Sequence, residues 1–198
     1  MRKTKNLFTQ IVDALVDDGY IIIPNALNPL LAQNLEKTAK NISDYKQASI
    51  STKKIKDHTK RKDKIKWIDE DGSYQSEYLQ FTQELQQTLN RELFLGINYY
   101  ESHFAMYEKG DFYKTHMDAF KKSKNRIVTT VYYLNETWYE ENGGLLVIYD
   151  DNANVLTKVL PQANTLVVFL SDKFPHEVLA AKKNRFSIAG WFRIDRNI

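Results

Sequence analysis

The hydrophobic pattern of the chain changes its period near residue 96, and this change limits the folds that the sequence can adopt. Before residue 96, apolar residues recur at helical spacing in three segments, 7–16, 28–42 and 74–94. One short apolar run, 20–23, lies between the first two of these segments. After it come eight short runs rich in Val, Ile, Tyr, Phe and Thr, separated by turn residues: 98–107, 113–118, 126–134, 144–149, 155–160, 165–170, 175–180 and 184–193. This order predicts an α+β chain, with a β-sandwich or barrel supported by helices.

The length of the chain and its lack of interruptions predict one domain. It has 198 residues and contains no repeat, low-complexity tract or linker. We expect a single domain over 1–198, in which a helical part of about 1–95 supports a β core of about 96–193. The absence of cysteine excludes disulfides, thiolate zinc sites, iron–sulfur clusters and a cysteine nucleophile.

Charge and hydropathy argue against nucleic-acid and membrane partners. The net charge is only +3, and the basic stretch at 53–67 is interpreted as a solvated loop near the mouth of a site. Apolar runs such as 165–170 are far shorter than the roughly 20 residues that span a bilayer. The N-terminal segment is acidic as well as apolar, so it predicts an amphipathic helix and not a signal peptide. We therefore expect a cytoplasmic protein.

Three side chains in the strand-rich half form a candidate metal site. His116 and Asp118 stand two residues apart, so on a strand they point to the same face, and His176 follows on a later strand. Two imidazoles and one carboxylate are the ligands of non-haem Fe(II) sites that keep positions open for substrate and O2. The same ligands can bind Zn²⁺, so a non-redox, cupin-like metal-binding protein is the alternative.

Two strands are apolar on both faces, which predicts that both faces are covered. In 126–134 this allows Tyr133 to point into the barrel and offer its hydroxyl there. In 184–193, Arg185 shares a face with Ser187, Ala189 and Trp191. A buried arginine needs an anion, and its planar fork suits a carboxylate. That carboxylate belongs either to a bound ligand or to an internal salt bridge, and we favour the ligand because Arg185 follows His176 by nine residues.

Three segments together carry a family resemblance. RIVTTVYYLNETWYEENGGLLVIYD, SDKFPHEVLAAKKNRFSIAGWF and RKDKIKWID resemble the Fe(II)/2-oxoglutarate-dependent oxygenases. Within them, the similarity is to the prolyl 4-hydroxylase and HIF prolyl hydroxylase-like branch, of the bacterial type. The match runs from about Arg61 to Phe192 and is specific as a combination of motifs.

The resemblance implies a double-stranded β-helix, a jelly-roll barrel of the cupin type. It implies that His116, Asp118 and His176 bind Fe(II). It also implies 2-oxoglutarate and O2 as cosubstrates, with ascorbate as a supporting reductant. The implied cosubstrate residues are Arg185, Tyr133, Tyr107, Trp191 and Thr129, and the implied substrate-side residues are Arg61 and Asp63.

The activity that the resemblance implies is hydroxylation of an unactivated C–H bond, with decarboxylation of 2-oxoglutarate to succinate and CO2. The expected substrate is a prolyl residue in a protein or peptide, and the alternative is a free amino acid or another small molecule. Two departures concern substrate and cosubstrate binding: no proline follows Tyr107, and Ala189 stands where a hydroxyl residue is common. His103 shares strand parity with Tyr107, and we expect it to be a satisfied core histidine and not a ligand.

Overall fold

The computed structural model describes residues 6–48, 59–69, 72–119 and 125–195. Its helices are α1 (Leu7–Asp17), α2 (Pro29–Asn41) and α3 (Ser73–Leu93), within one residue of the predicted limits at each end. The side chain of Asn28 caps α2 by accepting from the Leu30 N–H at 2.9 Å, and Pro29 occupies the first turn. Residues 53–58 of the basic stretch at 53–67 lie outside the described residues.

All eight predicted strands of the second half are present, and three further strands lie in the first half. The strands in chain order are β1 (Tyr20–Pro24), β2 (Lys46–Gln47), β3 (Lys64–Trp67), β4 (Tyr99–Tyr107), β5 (Tyr113–His116), β6 (Arg126–Tyr133), β7 (Leu146–Tyr149), β8 (Val155–Val159), β9 (Thr165–Leu170), β10 (His176–Val178) and β11 (Arg185–Arg193). β2 was not predicted, because two residues carry no periodic signal. β3 corrects the interpretation of 53–67 as a loop, because Lys64–Trp67 pairs with β4.

The strands form two antiparallel sheets, and this confirms the predicted fold. The large sheet has the order β1-β9-β6-β11-β4-β3-β2, and the small sheet has the order β5-β10-β7-β8. From β4 onward the chain passes back and forth between the two sheets, which is the winding of a double-stranded β-helix. β1 extends one edge of the large sheet, and β3 with β2 extends the other.

The large sheet separates two cores, and strand parity decides which core each side chain enters. Val128 and Tyr132 of β6 join the core that the helices cover, together with residues such as Leu35 of α2 and Leu85 of α3. Tyr133 of β6 lies in the core between the sheets. Both faces of β6 are therefore covered, as its apolar pattern predicted. None of the helices in the described ranges is long and apolar enough to cross a membrane.

A tight turn before β7 holds a backbone shape that only glycine adopts easily. A 3-10 helix, Glu140–Asn142, leads into Gly143 at φ 62° and ψ −152°, and a Cβ there would overlap the carbonyl oxygen of Ala180. The neighbouring carbonyl of Gly144 accepts a hydrogen bond from Arg185 Nε at 2.8 Å. The turn therefore helps to fix the side chain of Arg185.

Gly143→Ala is expected to lower the free energy of unfolding by about 1–3 kcal/mol or more, because backbone strain adds to the overlap. Urea denaturation measures this change. Gly96→Ala is the matched control, since Gly96 also has a positive φ of 66° but has no atom within 4 Å of an added Cβ. Equal losses in the two variants would show that the contact with Ala180 is unimportant.

Candidate metal centre and cosubstrate cavity

The two histidines of the metal site meet because β5 pairs with β10. His116 and His176 are register partners, and Asp118 lies two residues beyond the end of β5. The predicted strand 113–118 is thus shorter in the structure, which places Asp118 in the bend after it. One ligand atom from each of the three residues lies within 4.8 Å of the others. The structure therefore brings together all three residues of the predicted metal site.

Backbone carbonyls orient both imidazoles in the same way. Nδ1 of His116 lies 2.9 Å from the carbonyl oxygen of Lys114, and Nδ1 of His176 lies 3.0 Å from that of Phe174. When each Nδ1 carries the proton and donates it to its carbonyl, the lone pair is left on Nε2. Both Nε2 atoms face Asp118, at 3.6 Å and 3.5 Å from its carboxylate oxygens. This is how proteins orient histidines that bind metal ions.

The charge states also suit a bound cation. Burial would raise the pKa of Asp118, but the neighbouring imidazoles of His176 and His116 outweigh burial and lower it to about 2. Burial and the proximity of His176 lower the pKa of His116 to about 3. Near neutral pH the site therefore offers a carboxylate and a neutral imidazole, which are the forms that bind a metal.

A hydroxyl behind the cluster holds the carboxylate. Thr129 Oγ1 lies 2.9 Å from Asp118 Oδ2 and 2.8 Å from Ser171 Oγ. Thr129 was predicted to bind the cosubstrate, and it does line the cavity. Its hydroxyl, however, donates to Asp118, so in this structure it orients a ligand of the metal site. A direct contact of Thr129 with the cosubstrate stays a prediction.

Arg185 lies deep in the same cavity and has no acidic partner in the described part of the chain. It is 1% exposed and sits between the rings of Tyr107 and Tyr133, at 4.9 Å and 5.1 Å from their centroids. Among the described residues, it donates hydrogen bonds to the carbonyl of Gly144 and, at 3.2 Å, to the hydroxyl of Ser187. No described carboxylate forms an ion pair with it, so this part of the chain does not provide the internal salt bridge that was the alternative.

Two more polar groups inside the protein have neighbours but no well-formed hydrogen bond among the described residues. The buried hydroxyl of Tyr133 lies beside the guanidinium of Arg185, and the buried indole N–H of Trp191 lies beside the carboxylate of Asp118. A buried group that is left unpaired costs about 1–3 kcal/mol, so a ligand that supplies the missing partners is favoured. Tyr133 and Arg185 together present donors that fit one carboxylate, and Tyr107 and Trp191 line the same space.

The two predicted substrate-side residues form a rigid pair. Arg61 Nε lies 2.6 Å from Asp63 Oδ1, and Arg61 Nη2 lies 2.8 Å from Asp63 Oδ2. Asp63 is fully buried, whereas Arg61 lines the cavity with its guanidinium 4.6 Å from the ring centroid of Tyr113. The structure therefore places Arg61 at the cavity and Asp63 behind it.

Sequence reasoning missed two residues of the cavity wall. Tyr113 stacks on the ring of His116 at 3.6 Å, and Arg126 lies 3.7 Å from the ring centroid of Trp191 while it donates to Glu101. Strand parity places Tyr113 and His116 on opposite faces, but β5 and β10 have a register shift between these positions that brings both to the cavity. Arg126 shares the parity of Val128, which enters the core under the helices, so strand parity would have placed Arg126 away from the cavity. The pairing of β6 with β11 shifts its register beside Arg126.

A double-stranded β-helix with this ligand cluster on its small sheet, and a buried arginine in the same cavity, defines a class of non-haem metal enzymes. Residues 102–193 match the family model of the 2OG-Fe(II) oxygenase superfamily. The structure superposes on a prolyl-4-hydroxylase of Pseudomonas putida with a TM-score of 0.88 and 34% identity, covering 96% of this chain and 100% of that one. The chain belongs to the 2OG-Fe(II) oxygenase superfamily, in its prolyl hydroxylase-like branch.

Two further relatives agree with this assignment. One is a prolyl hydroxylase from Trichoplax adhaerens, solved with a peptide fragment of the hypoxia inducible factor oxygen degradation domain, with a TM-score of 0.85, 29% identity and coverage of 94% and 89% of the two chains. The other is the hypoxia-inducible factor prolyl hydroxylase of Caenorhabditis elegans, 38% identical over 85 residues. That match covers 42% of this chain and 12% of the relative.

The comparisons confirm the predicted family, fold class and cofactors. Proteins of this superfamily are enzymes that use Fe(II), with 2-oxoglutarate and O2 as cosubstrates. The donor set of this chain fits that chemistry, because it supplies two oriented imidazoles, a carboxylate and an unpaired buried arginine. The individual roles of these residues are the subject of the proposal that follows.

Proposed function

We propose that the protein is a Fe(II)- and 2-oxoglutarate-dependent dioxygenase that hydroxylates a prolyl residue in a protein or peptide. His116, Asp118 and His176 hold the iron, and Arg185 with Tyr133 holds the distal carboxylate of 2-oxoglutarate. The observation that carries the proposal is that the ligand cluster and the unpaired Arg185 line one cavity. When bound, iron and 2-oxoglutarate activate O2 to hydroxylate a C–H bond while 2-oxoglutarate becomes succinate and CO2.

The residues around the cluster hold its ligands by hydrogen bonds. Thr129 fixes the carboxylate of Asp118, and the backbone carbonyls fix the imidazoles, so the ligands are aligned before the metal arrives. Tyr107 and Tyr133 flank the guanidinium of Arg185 and keep it out of water. In this dry pocket an ion pair with a carboxylate is stronger than in solvent.

A peptide substrate is favoured by the cavity mouth and by the relatives. The bidentate bond to Asp63 holds Arg61 in one orientation and leaves its third nitrogen for other contacts. A fixed donor of this kind suits the carbonyl groups of an extended chain. The Trichoplax adhaerens relative was solved with a peptide, and the Pseudomonas putida relative is a prolyl-4-hydroxylase. A free amino acid or another small molecule is the alternative substrate.

Mass spectrometry of cell proteins tests this proposal. Extracts are incubated with the purified enzyme, Fe(II), 2-oxoglutarate and ascorbate, and peptides are searched for the gain of one oxygen atom on proline. The matched control is the His176→Ala variant, incubated with the same extract and the same additives. We expect prolyl hydroxylation with the unaltered enzyme alone. If free amino acids stimulate succinate formation and no peptide gains oxygen, the small-molecule alternative is correct.

A further inference from the structure

His103 is a buried histidine of the cavity with no hydrogen-bond partner in the described residues. It lies on β4, two and four residues before Ala105 and Tyr107, and all three line the cavity. It is 2% exposed, and both of its ring nitrogens are unpaired. The expectation of a satisfied core histidine is therefore wrong, although the expected strand parity is right. Since each unpaired buried group is costly, a bound ligand is the natural source of a partner.

The ring of His103 is held in place by aromatic contacts. Trp67 lies at 5.1 Å with its plane at 79° to the imidazole, and Trp191 lies at 5.3 Å at 45°. In the β4–β11 register the residue opposite His103 is Ala189, whose methyl group fills little space. The tryptophans thus fix the ring while the small neighbour leaves room for a ligand in front of it.

The charges around His103 favour an anionic ligand. Burial, with the positive charges of Arg61 and Arg126, lowers the pKa of His103 well below its ordinary value, against the opposing charge of Asp118. The ring is therefore neutral and offers one N–H donor and one acceptor. Although Arg61 is paired with Asp63 and Arg126 with Glu101, these arginines are the charges that act most strongly on His103, so an N–H donated to an anion suits this position.

Strand register places His103 between the two ends of the site. Arg185 pairs with Tyr107, but its guanidinium extends to the hydroxyl of Ser187 at 3.2 Å, and Ala189, the partner of His103, lies two residues, or about 7 Å, beyond Ser187. The next inward level of β11 is Trp191, which pairs with Thr129, the residue that donates to Asp118. A ligand that extends from Arg185 to the metal cluster must pass the level of His103.

We propose that His103 donates a hydrogen bond to the carboxylate of 2-oxoglutarate that lies away from Arg185, and so strengthens cosubstrate binding. This inference rests on the proposed function, because it assumes that 2-oxoglutarate occupies the cavity. His103 is a binding residue and not a metal ligand, since it lies outside the cluster of His116, Asp118 and His176. It gives the ring N–H its missing partner and agrees with the fixed ring and with the two nearby arginines.

The test is a titration of 2-oxoglutarate into Fe(II)-loaded protein without O2, followed by the weak visible absorption band of the complex. His103→Phe keeps a flat ring between the tryptophans but removes the N–H, and His103→Met removes the ring. We expect both variants to raise the dissociation constant for 2-oxoglutarate by about tenfold to a hundredfold. His103→Gln restores a donor and is expected to bind nearly as tightly as the unaltered protein.

Controls separate this inference from a packing effect and from the proposed function. Trp67→Phe loosens the ring contact but keeps the imidazole, so it is expected to retain tight 2-oxoglutarate binding. Iron content is expected to stay unchanged in all variants. The inference is overturned if His103→Phe and His103→Met bind 2-oxoglutarate normally, or if Trp67→Phe is as weak as they are. Failure of the unaltered protein to bind 2-oxoglutarate would instead overturn the proposed function.

Discussion

Replacement of Asp118 by alanine is expected to abolish turnover of 2-oxoglutarate. Asp118 supplies the only negative charge of the metal cluster, and both imidazoles face it at about 3.5 Å. Loss of a hydrogen bond to a metal ligand typically costs about 10–100-fold in affinity or activity, so loss of the ligand itself is expected to cost more. Release of CO2 from 2-oxoglutarate and the iron content of the purified variant measure this effect.

Two variants serve as controls for Asp118→Ala. Asp151→Ala removes an exposed carboxylate in the turn between β7 and β8 and is expected to leave turnover unchanged. Thr129→Val removes the hydroxyl that donates to Asp118 and is expected to give an intermediate loss of about 10–100-fold. Robust CO2 release by the Asp118→Ala variant would rule out the three-ligand site.

Arg185→Ala is expected to raise the concentration of 2-oxoglutarate that gives half-maximal CO2 release by about 10–100-fold. Hydrogen bonds to a charged group are worth about 1.5–3 kcal/mol, and the proposed ligand loses its main cationic partner. Folding is expected to suffer less, because Arg185 forms no ion pair with a described carboxylate, and its hydrogen bonds to Gly144 and Ser187 go to uncharged groups. Saturation curves for 2-oxoglutarate and the midpoint of urea unfolding separate the two effects.

Arg91→Ala is the matched control for Arg185→Ala. Arg91 lies on the exposed surface of α3 and contacts its neighbour Glu92, so its removal takes away the same side chain far from the cavity. It is expected to leave the 2-oxoglutarate requirement unchanged. Arg185→Lys keeps the charge but not the planar fork and is expected to fall between the two. An unchanged requirement in Arg185→Ala would remove this residue from the cosubstrate pocket.

The strands and the cavity side of β6 and β11 were predictable because alternation is a local property. Side chains two residues apart on a strand share a face whatever the rest of the chain does, so Arg185 and Trp191 were correctly assigned to the cavity and Tyr133 to the core between the sheets. The ligand pair of His116 and Asp118 was equally visible, because its spacing is local. His176 was recognisable as a third candidate ligand on a later strand, but its pairing with His116 is non-local and spacing alone does not encode it.

The features that escaped prediction depend on non-local pairing. Tyr113 reaches the cavity because of a register shift between β5 and β10, which no local pattern encodes. The unpaired state of His103 follows from the absence of a suitable partner across the barrel, and a strand pattern predicts only its direction. The bond between Arg61 and Asp63 joins residues that share a parity, so it could be anticipated as a contact but not as a bidentate one.

The central claim is that His116, Asp118 and His176 hold one Fe(II) ion to which 2-oxoglutarate binds. The most direct measurement is the visible absorption spectrum of the protein with Fe(II) and 2-oxoglutarate in the absence of O2. We predict a weak charge-transfer band that appears with Fe(II), disappears when Zn²⁺ replaces it, and is missing in Asp118→Ala. Iron-loaded protein that shows no band at saturating 2-oxoglutarate would contradict the claim and favour a metal site without redox chemistry.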